Sequence, residues 1–245
     1  MVELNLSRQE KLVPTNIINE YTLKVFGVGS VGSHFVNVAS KTGFKNIEVY
    51  DMDIVEEENI AAQAFSFEHL GLNKVEAIAD IVKRGANIDI VTYHGQITED
   101  TIITPEANTI YCCFFDSFEA RKLIFDKIKD YPVIFVDARI GLFNMRHYLV
   151  NCSDEEERKN YAKSLETKAV SELACGEKAC APINSIIAGK LVMNILNYIK
   201  GKDYLKMHVA NGETPSTDMN ILKIREVNKW NNQSLKWEKK LNLKI

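Results

Sequence analysis

The stretch Lys24-Val25-Phe26-Gly27-Val28-Gly29-Ser30-Val31-Gly32, KVFGVGSVG, decides the fold. An apolar run enters it, and glycines follow at 27, 29 and 32, the spacing at which a strand turns directly into a helix. The first glycine permits the turn and the second lets the backbone approach a phosphate. The third allows helix and strand to pack closely, and the helix N-terminus faces the anion. Asp51 ends the next strand, NIEVYD, about twenty residues later, where a carboxylate can accept both hydroxyls of a ribose.

Outward from this loop, short β-branched runs alternate with helical periods from Tyr21 to about Pro132, the signature of a parallel sheet wrapped by helices. The spacing predicts a strand at LKVFGV and a helix over Ser30 to Thr42, stopped by Gly43. After NIEVYD come a helix capped by Asn73, the strands DIVTY and TIYCCFF, a helix over Ser117 to Asp130, and the strand PVIFVDA. The fold class is α/β: a doubly wound, largely parallel, Rossmann-like sheet. Beyond Gly141, MRHYLVN reads as a strand and SDEEERKNYAKSLE as a polar, partly helical segment. INSIIAGKLVMNILNYIKG reads as a helix buried against the sheet, and the last 26 residues, with two Trp among many Lys, as a terminal hairpin. We expect one nucleotide-binding domain over 1–245, with its core at about 21–140 and an extension at about 141–245 packed on it.

Composition narrows the classes. Thirty basic against thirty-three acidic side chains give a formal charge of -3, which argues against bulk attraction to nucleic acid or an anionic membrane. The start, MVELNLSRQEKL, carries charges where a signal peptide needs an apolar core, and no uncharged apolar run approaches the length of a bilayer span. A cytoplasmic location is the expectation. Five cysteines, at 112, 113, 152, 175 and 180, suit reduced thiols better than a disulfide framework, and a single Cys-x4-Cys pair does not make a structural zinc site.

The chemistry is read from the strand ends, where doubly wound sheets bind ligands. Asp51, Asp116 and Asp137 all fall there, one acid more than a nicotinamide ribose needs. Asp116 emerges from the apolar CCFF and is a candidate ligand for Mg2+ bridging a triphosphate, or else an acid at the N-terminus of the following helix. Lys74 opens its helix at the positive end of the dipole, a placement that a bound anion explains.

Together these residues resemble the ThiF/MoeB family of ubiquitin-activating-enzyme-like adenylyltransferases. The resemblance runs through GVGSVGSHF, VYDMDIVEEENIAAQAF, LGLNKVEAIA and FFDSFEAR, from about Lys24 to Arg121. It implies that Gly27, Gly29, Gly32, Asp51, Asp53, Asn59, Gln63 and Lys74 hold ATP and that Asp116 binds Mg2+. It implies that Arg8, in SRQ, reaches the ATP site of a neighbouring subunit in a homodimer. It further implies that a small ubiquitin-like or sulfur-carrier protein ending in Gly-Gly is adenylated on its C-terminal carboxylate.

Ala62 departs from the pattern, standing where the family motif has its catalytic arginine. Arg139, after PVIFVDA, is a candidate replacement, with a surface ion pair as the alternative. DARIG and ACGEK resemble a phage- or plasmid-associated branch of the family, with Asp137, Arg139, Cys175 and Lys178 at the recurring positions. Cys175, near Lys178, is the candidate thiol for a thioester or persulfide step, ahead of Cys180. Cys112 and Cys113 read as core, and His34 as an exposed residue just after the glycine loop. Two other readings stand beside the adenylyltransferase: a non-catalytic nucleotide-binding partner subunit, favoured by Ala62, and an NAD-dependent oxidoreductase, favoured only by the glycines and Asp51.

Overall fold

The computed structural model describes residues 3–141, 144–166 and 180–211. The loop holding Cys175 and Lys178, and the expected terminal hairpin, lie outside the described residues.

After an N-terminal segment with a short helix α1 (Thr15–Ile18), the chain runs β1 (Thr22–Phe26), α2 (Ser30–Thr42), β2 (Asn46–Asp51) and the short α3 (Glu57–Ile60). It continues through α4 (Lys74–Ala86), β3 (Val91–His94), β4 (Thr109–Cys113), α5 (Phe118–Ile128) and β5 (Ile134–Gly141). Strand β6 (Asn144–Asn151), α6 (Glu155–Glu166), α7 (Ala181–Ile199) and β7 (Met207–Asn211) follow. The sheet order is β3-β2-β1-β4-β5-β6-β7. Strands β1 to β5 are parallel, whereas β6 and β7 add antiparallel at one edge, so the segment after Gly141 widens the same sheet.

Alternation along the strands sorts the two faces. Val25, Val49, Cys112 and Val136 join α2, α4 and α7 in one apolar cluster. Phe26, Tyr111, Cys113 and Phe135 join Ile124 and Phe125 of α5 and Tyr161 of α6 in the other. Every residue of β4 is buried, as a central parallel strand covered on both faces requires. Because β1 leads to β2 on one side and neighbours β4 on the other, the winding reverses between β1 and β4. The crevice at that reversal is where a ligand meets the carboxyl ends of the strands.

Local chemistry sets the boundaries. Gly43, at φ 111°, closes α2 by donating its N–H to the carbonyls of Ala39 and Ser40. Ser117 caps α5, its hydroxyl accepting from the Ala120 N–H at 3.1 Å. Asp154 Oδ1 accepts from the N–H groups of Glu156 and Glu157 at the start of α6. Helix α7 packs on α2 and β6 but leaves Ile186 and Met193 exposed, so it is less completely enclosed than its apolar sequence predicts. No helix among the described residues is long and apolar enough to cross a membrane.

Candidate functional site

The three glycines divide their work as their spacing predicts. Gly27 sits at φ +90°, and a Cβ there would lie 3.1 Å from the Phe114 backbone. A Cβ on Gly32 would collide with the Gly27 carbonyl, so this helix and strand are packed at glycine distance. Gly29 has no heavy atom within 4 Å of its Cβ position. The open side of the loop is therefore at the second glycine, beside the first turn of α2, where N–H groups without helical partners face the crevice.

Asp51 closes the loop from β2. Its Oδ2 accepts the Val28 N–H at 2.7 Å and its Oδ1 the Asp53 N–H at 2.9 Å. Burial raises its pKa, opposed by those two N–H groups and by Lys74. The first duty of this carboxylate is thus to hold the glycine loop, and one lone pair on each oxygen remains for a ribose.

Lys74 is buried, with its Nζ 2.8 Å from Asp53 Oδ2. Asp53 is half-exposed, and the pair places a cation on a flexible anion beside Asp51. Asn59 caps α3, its Oδ1 accepting the Glu56 N–H at 3.0 Å. Gln63 follows, with a buried Oε1 that meets no hydrogen-bond partner. That orphaned acceptor fits a hydroxyl or amine from a bound molecule.

Asp116 lies three residues past the end of β4 and is exposed, with no hydrogen bond from its carboxylate to a described residue. Ser117 does the capping of α5, so Asp116 is not needed for that task.

The ThiF family model matches residues 7–236. The chain belongs to the ThiF family. It is 33% identical over 110 residues to the NEDD8-activating enzyme E1 catalytic subunit of Arabidopsis thaliana, covering 44% of this chain and 24% of that protein. It is 24% identical over 241 residues to ubiquitin-like modifier-activating enzyme 5 of Drosophila willistoni, covering 85% of this chain and 59% of that one. The chain thus spans less than two thirds of the length of these relatives. Among solved structures it superposes on Escherichia coli MccB with succinimide at a TM-score of 0.67 and 16% identity, covering 86% of this chain and 70% of MccB. It matches PaaA at 0.63 and 18%, covering 84% and 72%. These structures share the fold.

Against the ThiF pattern, Asp137 and Arg139 need correction. Asp137 is fully buried and points to the face covered by α5 and α6, because it alternates with Val136 and Ala138, which face α7. It is paired with Arg121 and with Arg139, whose Nε lies 2.7 Å away, and it accepts from Tyr161 Oη at 3.1 Å. The remaining nitrogens of Arg139 donate to Ser164 O at 3.1 Å and Ser164 Oγ at 3.0 Å. Its guanidinium lies 5.0, 4.8 and 5.6 Å from the ring centres of Phe118, Tyr148 and Tyr161. This is neither a surface ion pair nor a free cation: every arm of the fork is engaged inside the α5–α6 layer.

Ala62 has a role that its side chain does not reveal. Its carbonyl accepts from His34 Nε2 at 3.1 Å and from Asn184 Nδ2 at 2.7 Å, tying α2 and α7 to the segment after α3. His34 is half-buried and its pKa is lowered by burial, so the ring is neutral, with Nδ1 3.3 Å from Ser185 Oγ. It is not the exposed residue that its position predicts. Asn184 was legible only as a polar residue on the apolar stripe Ile183, Ile187, Ala188, and Oδ1 of this buried side chain has no partner.

Arg8 lies exposed in the N-terminal segment, where Gln9 donates to the Lys41 carbonyl at the C-terminal end of α2. That end is about 20 Å from the glycine loop along the helix. A cavity of about 660 Å3 opens there among Leu4, Leu6, Lys45, Lys83, Asn87 and Asp89, away from the strand-end crevice. Of the described cysteines, Cys112, Cys113 and Cys152 are buried, and Cys180 is exposed at the N-cap of α7.

Proposed function

We propose that this ThiF-family chain is an ATP-dependent adenylyltransferase that activates the C-terminal carboxylate of a small ubiquitin-like or sulfur-carrier protein, or of a peptide, as an acyl-adenylate. The observation that carries the reading is the crevice at the β1/β4 reversal, where the open side of Gly29, the Asp51-braced loop, the buried Lys74 and the unencumbered Asp116 come from separate strand ends. Relatives named as NEDD8-activating and ubiquitin-like modifier-activating enzymes, and the structure of Escherichia coli MccB with ATP, support it.

In this reading the glycine loop and the start of α2 receive the phosphates, Asp51 and Gln63 receive ribose hydroxyls, and Asn59 keeps α3 in place behind them. The partner's carboxylate attacks the α-phosphorus, the bond to the bridging oxygen breaks, and pyrophosphate leaves with the electron pair. No general base is needed, because the nucleophile is already an anion. Lys74 offsets charge developing on the phosphates, with Asp53 setting the position of its ammonium. The exposed, hard oxygen donors of Asp116 fit Mg2+, which when bound supplies further neutralisation of the phosphates. Arg139 is a positioning residue in the wall behind Phe118. The guanidinium missing at Ala62 is supplied by Arg8 from a second copy in a homodimer, consistent with its distance from the loop of its own chain. Acyl transfer to the thiolate of Cys175, with release of AMP, would follow in the reducing cytoplasm.

The test is ATP–pyrophosphate exchange in the presence of a candidate protein ending in Gly-Gly. Exchange that requires both protein and Mg2+ supports the proposal. ATP binding with no exchange for any carboxylate donor favours the second reading, a non-catalytic partner subunit, which Ala62 supports. Because the Asp116 carboxylate is exposed and unbonded, Asp116→Ala is expected to abolish exchange and leave the melting temperature unchanged. Undiminished exchange in that variant would remove Asp116 from the site.

A further inference from the structure

Arg139 lies directly opposite a second arginine, Arg146, in the antiparallel register of β5 and β6. Both belong to the face covered by α5 and α6. Arg146 alternates with Met145, which joins the α7 cluster, and shares its side of the strand with Tyr148 and Val150 of the other cluster. Like charges set opposite one another destabilise a sheet, so this pair calls for counter-charge. Arg139 has Asp137, but that carboxylate is already shared with Arg121. Arg146 is half-buried and makes no ion pair or hydrogen bond to a described residue. Three guanidiniums thus stand against one buried carboxylate. The acids at this end of α5 and α6 are engaged elsewhere: Glu119 accepts from Ser117 Oγ at 2.9 Å, and Glu166 acts on the exposed Lys122. Asp116 acts on Arg121, and in the reading proposed above Mg2+ takes up its charge.

The height of the pair in the sheet gives it a use. Cys113, the last residue of β4, is level with Asp137, so Arg139 and Arg146 lie two residues further toward the carboxyl ends of the parallel strands, at the crevice. With the ribose on Asp51, the adenosine occupies the β1–β2 side of the reversal, and the β4–β5–β6 side is left to the second substrate.

We propose that Arg146 reads an acidic side chain in the tail of the carboxylate donor, so that the protein prefers a tail with Asp or Glu about four residues before its terminal carboxylate. The inference rests on the adenylation reading and names the substrate class of that same site. From the β1/β4 reversal to β6 is two and a half strand spacings, roughly 12 Å, and an extended tail covers about 3.3 Å per residue. That span sets the position of the acid. A guanidinium with no competing partner takes a carboxylate through two parallel N–H bonds. A lysine or arginine at the same tail position meets Arg146 beside Arg139 and is rejected by like charge, so the strand pair selects both for and against.

The test is binding of labelled ten-residue peptides ending in Gly-Gly, with Glu, Ala or Lys four residues before the last, to the full chain loaded with Mg2+ and a non-cleavable ATP analogue. Fluorescence polarisation reads the affinity. In the parent the Glu peptide should bind at least tenfold tighter than the Ala peptide, and the Lys peptide weakest. Arg146→Ala should remove the preference and Arg146→Glu should invert it, both melting as the parent does because Arg146 holds no partner among the described residues. The same preference in parent and variants, no discrimination in the parent, or no binding of any peptide overturns the proposal. Pyrophosphate exchange with the same peptides separates the two readings. A charge preference that switches with residue 146 but is accompanied by no exchange refutes adenylation and keeps the subsite, whereas equal exchange for the Glu, Ala and Lys peptides refutes the subsite and keeps adenylation.

Discussion

Replacing Arg139 by alanine separates a structural guanidinium from a catalytic one. The substitution removes the 2.7 Å contact to Asp137, two hydrogen bonds to Ser164, and the stacking on Phe118, Tyr148 and Tyr161. Breaking a buried pair outright costs about 3–5 kcal/mol, because the surviving charge is left without a partner. Asp137 would retain Arg121 and Tyr161, so the low end applies, about 3 kcal/mol. At about 3 °C per kcal/mol for a chain of this size, the melting temperature should fall by roughly 9 °C. Arg139→Lys, which keeps the charge but not the planar fork over three rings, should recover less than half of that. Circular dichroism melts and urea titration measure the loss, and pyrophosphate exchange is read well below the variant's midpoint. A variant that melts within about 1 °C of the parent and yet loses exchange would refute the positioning role and return Arg139 to the phosphates.

The glycine loop predicts opposite outcomes for two neighbours. Gly32→Ala should destabilise by about 1–3 kcal/mol or prevent folding, since its Cβ meets the Gly27 carbonyl, whereas Gly29→Ala should melt normally and weaken ATP in calorimetry. Alkylation by iodoacetamide at pH 8, read by peptide mass spectrometry, should label Cys180 and spare three others. Burial pushes Cys113 up to about 11, Cys152 up to about 12 and Cys112 well above its usual range, so labelling of these in the folded chain would contradict the packing. Acid stability carries a sign set by His147 and His208. Their folded pKa values lie below the unfolded value near 6.5, so the unfolded state binds more protons between about pH 4 and 6.5. Stability is therefore full above about pH 6.5 and falls below it, by up to about 1.4 kcal/mol per pH unit for each ring. Urea midpoints from pH 7 to 5 should flatten in a variant carrying both His147→Phe and His208→Phe, and an equally steep fall there would assign the loss to other groups.

The parts of this fold that the chain announces are those whose physics is local. Glycines at 27, 29 and 32 make sense only at a strand-to-helix turn, and Gly43 and Ser117 mark helix ends through their own backbone and side-chain bonds. Lys74 was legible in part: a cation in a first helical turn conflicts with the dipole, which pointed to a bound anion, whereas the anion that the fold itself sets against its ammonium is Asp53. What stayed hidden depends on which strand lies beside which. Asp137 and Arg139 sit at a strand end in sequence, but strand alternation turns them to the α5–α6 face, where α6, arriving from after β6, supplies Tyr161 and Ser164. No spacing within PVIFVDARIG carries that information. Strand β7 is short, and its pairing with β6 is visible only once His147 meets His208. Ala62 is the sharpest case, because a missing side chain reads as a loss, while its carbonyl gathers donors from α2 and α7 that lie 28 and 122 residues away. Two separable things therefore meet at position 62, a charge near the phosphates, which the alanine removes, and the joint between two helices, which it leaves in place. Restoring arginine at 62 tests the first without disturbing the second, since the carbonyl that His34 and Asn184 use belongs to the backbone.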